Sequence, residues 1–109
     1  MDNKSDVLRL VQSAAREKIL FSSHAIRQMV KPERFITIPE IKSTIDNGMV
    51  IEDYPNDPRG HSCLILGSGE KDRPIHVVCA PKIDYLAIIT AYIPDPNQWY
   101  DNYRIRGKS

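Results

Sequence analysis

Apolar residues recur at helical spacing in the first segment, where Val7, Leu8, Val11, Ala14 and Ala15 form a stripe and Arg9, Gln12, Arg16 and Glu17 lie mostly off it. Ser5 is placed as its N-cap, with Asp6 favouring the helix dipole. Residues 19–22 read as a short extended piece. A second helix is predicted from about His24 to Lys31, capped by Ser22 or Ser23, with Ile26, Met29 and Val30 inward and Pro32 as its stop. The third has the clearest local signature. Thr37 and Glu40 stand at capping-box spacing, Pro39 occupies the permissive first turn, Ile38, Ile41 and Ile45 make the apolar stripe, and Asn47-Gly48 predicts a left-handed cap.

From Met49 the period changes to that of strands, predicted over residues 49–54, 61–66, 74–80 and 85–93 and separated by turn-forming stretches. No connection is long enough for a crossover helix, so the four strands are expected to pair in sequence as an antiparallel meander. The expected fold class is α+β, with N-terminal helices packed on this four-stranded sheet. The last strand is apolar on both faces, which suits a central or well-covered position. Pro94-Asp95-Pro96 then breaks the sheet. The chain reads as a single domain, 1–109, with its core at about 5–100 and a basic tail, 101–109, carrying Tyr103, Arg104, Arg106 and Lys108.

At 109 residues and 41% hydrophobic content the chain can bury one core without disulfide or metal staples. Cys63 and Cys79 sit singly inside apolar runs and read as buried thiols, and neither a cofactor nor a metal is expected. Residues 1–18 lack the apolar core of a signal peptide and no stretch approaches bilayer length, so a cytoplasmic protein without a membrane partner is expected. Fifteen Lys and Arg against fourteen Asp and Glu generate no strong field for a polyanion, so any nucleic-acid site must be a local patch.

Two histidines attract chemical interest. His24 and Arg27 are three apart on the second helix, with Gln28 and Lys31 close to the same face. An imidazole in a first helical turn is held neutral by the dipole and can act as a general base, or it can simply help cap the helix. Strand alternation puts His76, Val78 and Ala80 opposite Ile75, Val77 and Cys79. If Pro81 pairs with Tyr85, His76 falls opposite Thr90 with Tyr92 on the same face, a cluster that fits either chemistry or a satisfied core histidine. Lys31 and Arg34 flank Pro32 and could bind phosphate, and Trp99 with Arg104 and Arg106 could stack on bases and touch phosphates or could leave a docked Trp and a solvated tail. Arg59 and Arg73 sit in turns, where solvated charge is expected. Glu52 and Asp53 face opposite sides of a strand and so form no close carboxylate pair.

The motifs Ser23-His24-Ala25 with Arg27 and Met29, residues 48–55 from Gly48 to Pro55, Ser62 to Gly67, Arg73 to Val78, and Ile88 to Tyr92 leading to Pro94-Asp95-Pro96 and Trp99 resemble a bacterial and archaeal domain of unknown function numbered 4258. The resemblance runs from about Phe21 to Arg106. It implies a fold similar to RelE and barnase-like ribonucleases, and a setting as the toxin half of a toxin–antitoxin pair with a zinc-ribbon, helix-turn-helix antitoxin as partner. It also singles out His24, Arg27, His76, Thr90 and Tyr92 as site residues. One departure is Gln28, where relatives often carry arginine. The function expected on this basis is metal-independent endoribonuclease activity. His24 would deprotonate a ribose 2′-hydroxyl, Arg27 with Lys31 or Arg34 would stabilise developing charge, and His76 or Tyr92 would protonate the leaving oxygen. The alternative is an RNA- or protein-binding module of the same fold without chemistry, and an edge-strand homodimer is a third option.

Overall fold

The structure is a computed structural model and describes residues 3–107, so Lys108 of the expected tail lies outside the described residues. Helix α1 (Asn3–Glu17) is followed by strand β1 (Ile19–Phe21), helices α2 (Ser23–Met29) and α3 (Ile38–Asn47), and strands β2 (Met49–Tyr54), β3 (Ser62–Ser68), β4 (Pro74–Pro81) and β5 (Leu86–Tyr92). A single 3-10 turn, Glu70–Asp72, interrupts the β3–β4 connection, and two short strands, β6 (Trp99–Tyr100) and β7 (Ile105–Arg106), close the described chain.

The main sheet has five strands in the order β1-β5-β4-β3-β2, not four. Strands β2 to β5 form the expected antiparallel meander, and the extended piece at residues 19–21 joins its far edge parallel to β5, Leu20 pairing with Ala87. Hairpin reasoning sees only neighbours in sequence. A parallel pair needs a long connection, and here everything from α2 to β4 supplies it. As its apolar faces suggest, β5 ends up between two strands.

The three helices cover one face of this sheet. Val7, Val11 and Ala14 of α1, Ala25 and Met29 of α2, and Ile41 and Ile45 of α3 close over Ile65, Ile75, Val77, Cys79 and Ile88. Cys63 and Cys79 are both buried and lie directly opposite each other across β3 and β4 as free thiols. The phase of α2 differs from the reading of its sequence. Ala25 and Met29 face the core, while Ile26 and Val30 are 50% and 54% exposed. The small Ala25 gave no apolar signal of its own, so the larger flanking residues drew the stripe one position away. Ile38 is likewise exposed at the start of α3.

The capping box at Thr37 and Glu40 is present as expected. Its carboxylate also reaches out of the helix. Glu40 Oε1 accepts from Thr37 N at 3.0 Å and from Arg73 Nη2 at 2.8 Å, while Oε2 accepts from Glu70 N at 2.8 Å and Arg73 Nε at 3.1 Å. Arg73 further donates to the carbonyls of Arg34 and Phe35, so this turn arginine is a structural tie and not a solvated charge. At the other end of α3, Gly48 is extended (φ −80°, ψ −179°), not left-handed. Its small size is needed for close approach, since a Cβ there would meet Thr44 O at 2.4 Å and Leu66 O at 2.6 Å.

The second face of the sheet is covered by the C-terminal segment. Trp99 packs with Ile51 and Leu64, bordered by Tyr54, Leu66, Val78 and Tyr103. The expected solvated tail is instead a hairpin, β6 pairing with β7 so that Trp99 lies across from Arg106. Its turn runs through Asp101, Asn102 and Tyr103 at φ of 50°, 55° and 69°. Left-handed backbone costs an L-residue about 1–2 kcal/mol, least for Asp and Asn, so Tyr103 is the strained member. Its side chain packs on the sheet face and its carbonyl accepts from His76, which hold it there.

Candidate functional site

His76 stands in the middle of β4, which alternation turns away from the helices and toward the hairpin. It is completely buried. Nε2 lies 2.9 Å from the carbonyl oxygen of Tyr103, which can only accept, so this nitrogen carries the proton; Nδ1, 3.2 Å from the Tyr92 hydroxyl, then accepts from it. The ring is a satisfied neutral imidazole. It stands edge-on to Trp99 (centroids 4.4 Å apart, 85° between planes) and to Tyr92 (5.3 Å, 75°). Burial, only partly offset by the Tyr103 carbonyl, pushes its pKa down to about 4.

The register differs from expectation. Pro81 pairs with Leu86 and a bulge intervenes between Val78 and Cys79, so His76 lies opposite Tyr92, and Thr90 pairs with Val78. Turn and bulge each add one residue to the β5 side, and sequence patterns specify neither. Thr90 therefore shares the face of His76 and Tyr92 but sits two pairs further along the ladder.

A second layer holds the hairpin. Arg106 places its guanidinium 4.7 Å from the centre of the Trp99 ring and donates to Glu52 from Nη2 at 2.9 Å and Nε at 3.3 Å. Tyr54 also donates to Glu52. Burial works against ionisation of Glu52, and the hydrogen bonds from Arg106 and Tyr54 outweigh it, leaving the carboxyl below its usual value. Trp99 is thus buried at 6% exposure, while Arg106 is paired with Glu52 but leaves most of its side chain in solvent. Arg104 is exposed on the turn. The Glu52 tie was hard to find beforehand, because strand alternation placed Glu52 beside Tyr54 but nothing placed Arg106.

His24 is exposed in the first turn of α2, and its ring has no hydrogen-bond partner among the described residues. It borders a shallow groove with Leu20, Ala87, Ile89, Tyr85 and Arg59. Arg59, expected only as a solvated turn charge, lines this groove. It is paired with Asp57 through two contacts of 3.0 and 2.9 Å. Since His76 has no solvent access, the structure does not bring the two imidazoles into one cleft. The acid–base pair expected from the sequence is not assembled in this conformation.

What the α2 region does assemble is charge. Between residues 18 and 39 the chain carries Lys18, Arg27, Lys31 and Arg34 against the single carboxylate of Glu33. Among the described residues, Arg27, Lys31 and Arg34 form no ion pair. Phe35, 57% exposed, stands in the same turn, which Phe35 N closes on the carbonyl of Lys31. Among the described residues no group of three or more side chains is arranged to hold a metal, and no helix is long and apolar enough to cross a membrane.

Comparison with known proteins gives one match. The family described as Domain of unknown function (DUF4258) matches residues 21–93, which run from the last residue of β1 to just past β5 and stop short of the hairpin. No curated protein and no solved structure matches.

Proposed function

The chain belongs to the DUF4258 family, and on that premise we propose that it is an RNA-binding module of RelE/barnase-like architecture that engages a single strand through α2 and the turn behind it. The observation that carries this reading is a stretch of cations without internal counter-charge, Arg27, Lys31 and Arg34, followed in the chain by the exposed Phe35. Cations grouped with an aromatic ring suit a flexible polyanion whose bases can stack. The near-neutral whole is no obstacle, because the positive charge is concentrated locally.

Replacing Arg27, Lys31 and Arg34 together by glutamine is expected to weaken binding of a single-stranded RNA roughly 30- to 100-fold at about 0.1 M salt. The slope of log K against log salt should become shallower by about 2. Fluorescence anisotropy at several salt concentrations measures both quantities. Unchanged affinity and slope would remove the reading.

A second reading is the metal-independent endoribonuclease of a toxin–antitoxin pair, and the exposed, unpartnered ring of His24 beside Arg27 favours it. In this reading His24 takes the proton of a ribose 2′-hydroxyl, and the 2′-oxygen attacks phosphorus as the P–O5′ bond breaks. Arg27, with Lys31 or Arg34, meets the charge on phosphate, and the leaving 5′-oxygen takes its proton from water because His76 is buried. Expression of the chain alone should then arrest growth. A zinc-ribbon, helix-turn-helix antitoxin should relieve the arrest, as should His24→Ala, without loss of RNA affinity. Normal growth on expression of the intact chain would leave only the binding reading.

A further inference from the structure

The hairpin from Trp99 to Arg106 lies beyond the family match and is hydrogen-bonded into a sheet of its own, separate from the five-stranded sheet. Its attachment is local. Trp99 and Tyr103 pack on the sheet face, His76 donates to the Tyr103 carbonyl, and Arg106 pairs with Glu52. Two-residue strands do not hold a hairpin together by themselves, and the left-handed turn at Asp101, Asn102 and Tyr103 works against closure. Lifting the hairpin would leave every main-sheet hydrogen bond and the helix-side core in place.

Beneath it the planar ring of Trp99 fills the space against the sheet. The indole of Trp99 rests on Ile51 and Leu64 with the edge of His76 at its side and the Arg106 guanidinium over its ring. We infer that the hairpin is a latch and that its opening exposes a nucleobase site on the sheet face, in which a base of single-stranded RNA takes the place of the Trp99 ring. Purine and indole are similar in size and shape. His76 Nε2–H, released from the Tyr103 carbonyl, becomes a donor for a base carbonyl, and Tyr92 offers a second polar edge. This inference rests on the RNA-binding reading but places a second contact on the opposite sheet face from the α2 core residues.

The test uses two single variants of the full chain that leave Arg27, Lys31 and Arg34 intact. Arg106→Ala removes the tie to Glu52. Asn102→Gly removes the side chain from a left-handed position and should tighten closure. Amide hydrogen exchange and affinity for a short mixed-sequence single-stranded RNA are measured for each. The expected result is at least tenfold faster exchange in the hairpin of Arg106→Ala, with β3 and β4 unchanged and RNA bound several-fold more tightly; Asn102→Gly should shift both in the opposite sense. Hairpin amides that exchange only at the rate of β3 and β4 in all three proteins would overturn the latch. Independent opening with unaltered RNA affinity, while the α2 glutamine variant still weakens binding, would overturn the base site and leave the α2 reading standing. RNA binding by none of the proteins would overturn both.

Discussion

Glu40→Ala is expected to destabilise the fold by about 3–5 kcal/mol, the cost of leaving one half of a buried ion pair unmatched. The side chain is 5% exposed, and its two oxygens serve the α3 N-terminus, the amide of Glu70 and the guanidinium of Arg73 at once. Deleting it removes the carboxylate half of the capping box, leaves Arg73 with only the Arg34 and Phe35 carbonyls, and strips the Glu70 N–H of its acceptor. Glu40→Gln keeps an acceptor for the cap and should lose roughly half as much. The same network predicts an acid limb. Burial opposes ionisation, but Arg73 and the backbone donors bring the Glu40 pKa down to about 2. Its carboxylate therefore contributes stability that is complete above about pH 4.5 and is lost as pH falls toward 2, roughly 3 kcal/mol in all. Urea unfolding with an unchanged m-value measures the loss. A change below 1 kcal/mol in Glu40→Ala would contradict the assigned network.

The second large effect is also a pH dependence, in a different window. His76 is neutral in the fold because burial lowers its pKa to about 4 from an ordinary 6.5. The unfolded chain thus binds the extra proton first. Stability should be complete above about pH 6.5 and fall as pH drops toward 4, by an amount on the order of 3 kcal/mol. The protonated ring could still donate to the Tyr103 carbonyl, and Tyr92 could turn to accept from Nδ1. The penalty is therefore mainly that of burying the charge. In His76→Gln the stability curve between pH 4.5 and 6.5 should be nearly flat by comparison, although the variant starts from a lower value at pH 7. Parallel curves for the two proteins would show that His76 is not the titrating group.

How much of this was legible depended on the range of the interaction. The α3 capping box, the antiparallel order of β2 to β5 and the covered position of β5 follow from local chemistry and were readable. The parallel pairing of β1 was not, since three apolar residues carry no hint of a partner almost seventy positions away. The candidate site failed on finer geometry. His76, Thr90 and Tyr92 do share a sheet face as alternation requires, yet the turn and a bulge together changed the partner of His76. The larger error concerned the C-terminal segment. A stretch rich in Arg and Tyr looks solvated, and only the spatial match of Glu52 to Arg106 and of His76 to the Tyr103 carbonyl explains why it lies on the sheet. At α2, Arg27, Lys31 and Arg34 form no ion pair among the described residues, whereas Arg73, expected as a solvated turn charge, is tied to Glu40.

The edge pairing of Leu20 with Ala87 also bears on how the protein is made. On a ribosome the first strand and the helix before it leave the exit tunnel long before the strand they must join has been translated. Closing so distant a contact is slow, and through that interval the early segment has no sheet on which to bury its apolar side chains. The nascent chain should therefore depend on chaperone shelter until the segment ending at Tyr92 has emerged, after which the sheet can close in one cooperative step.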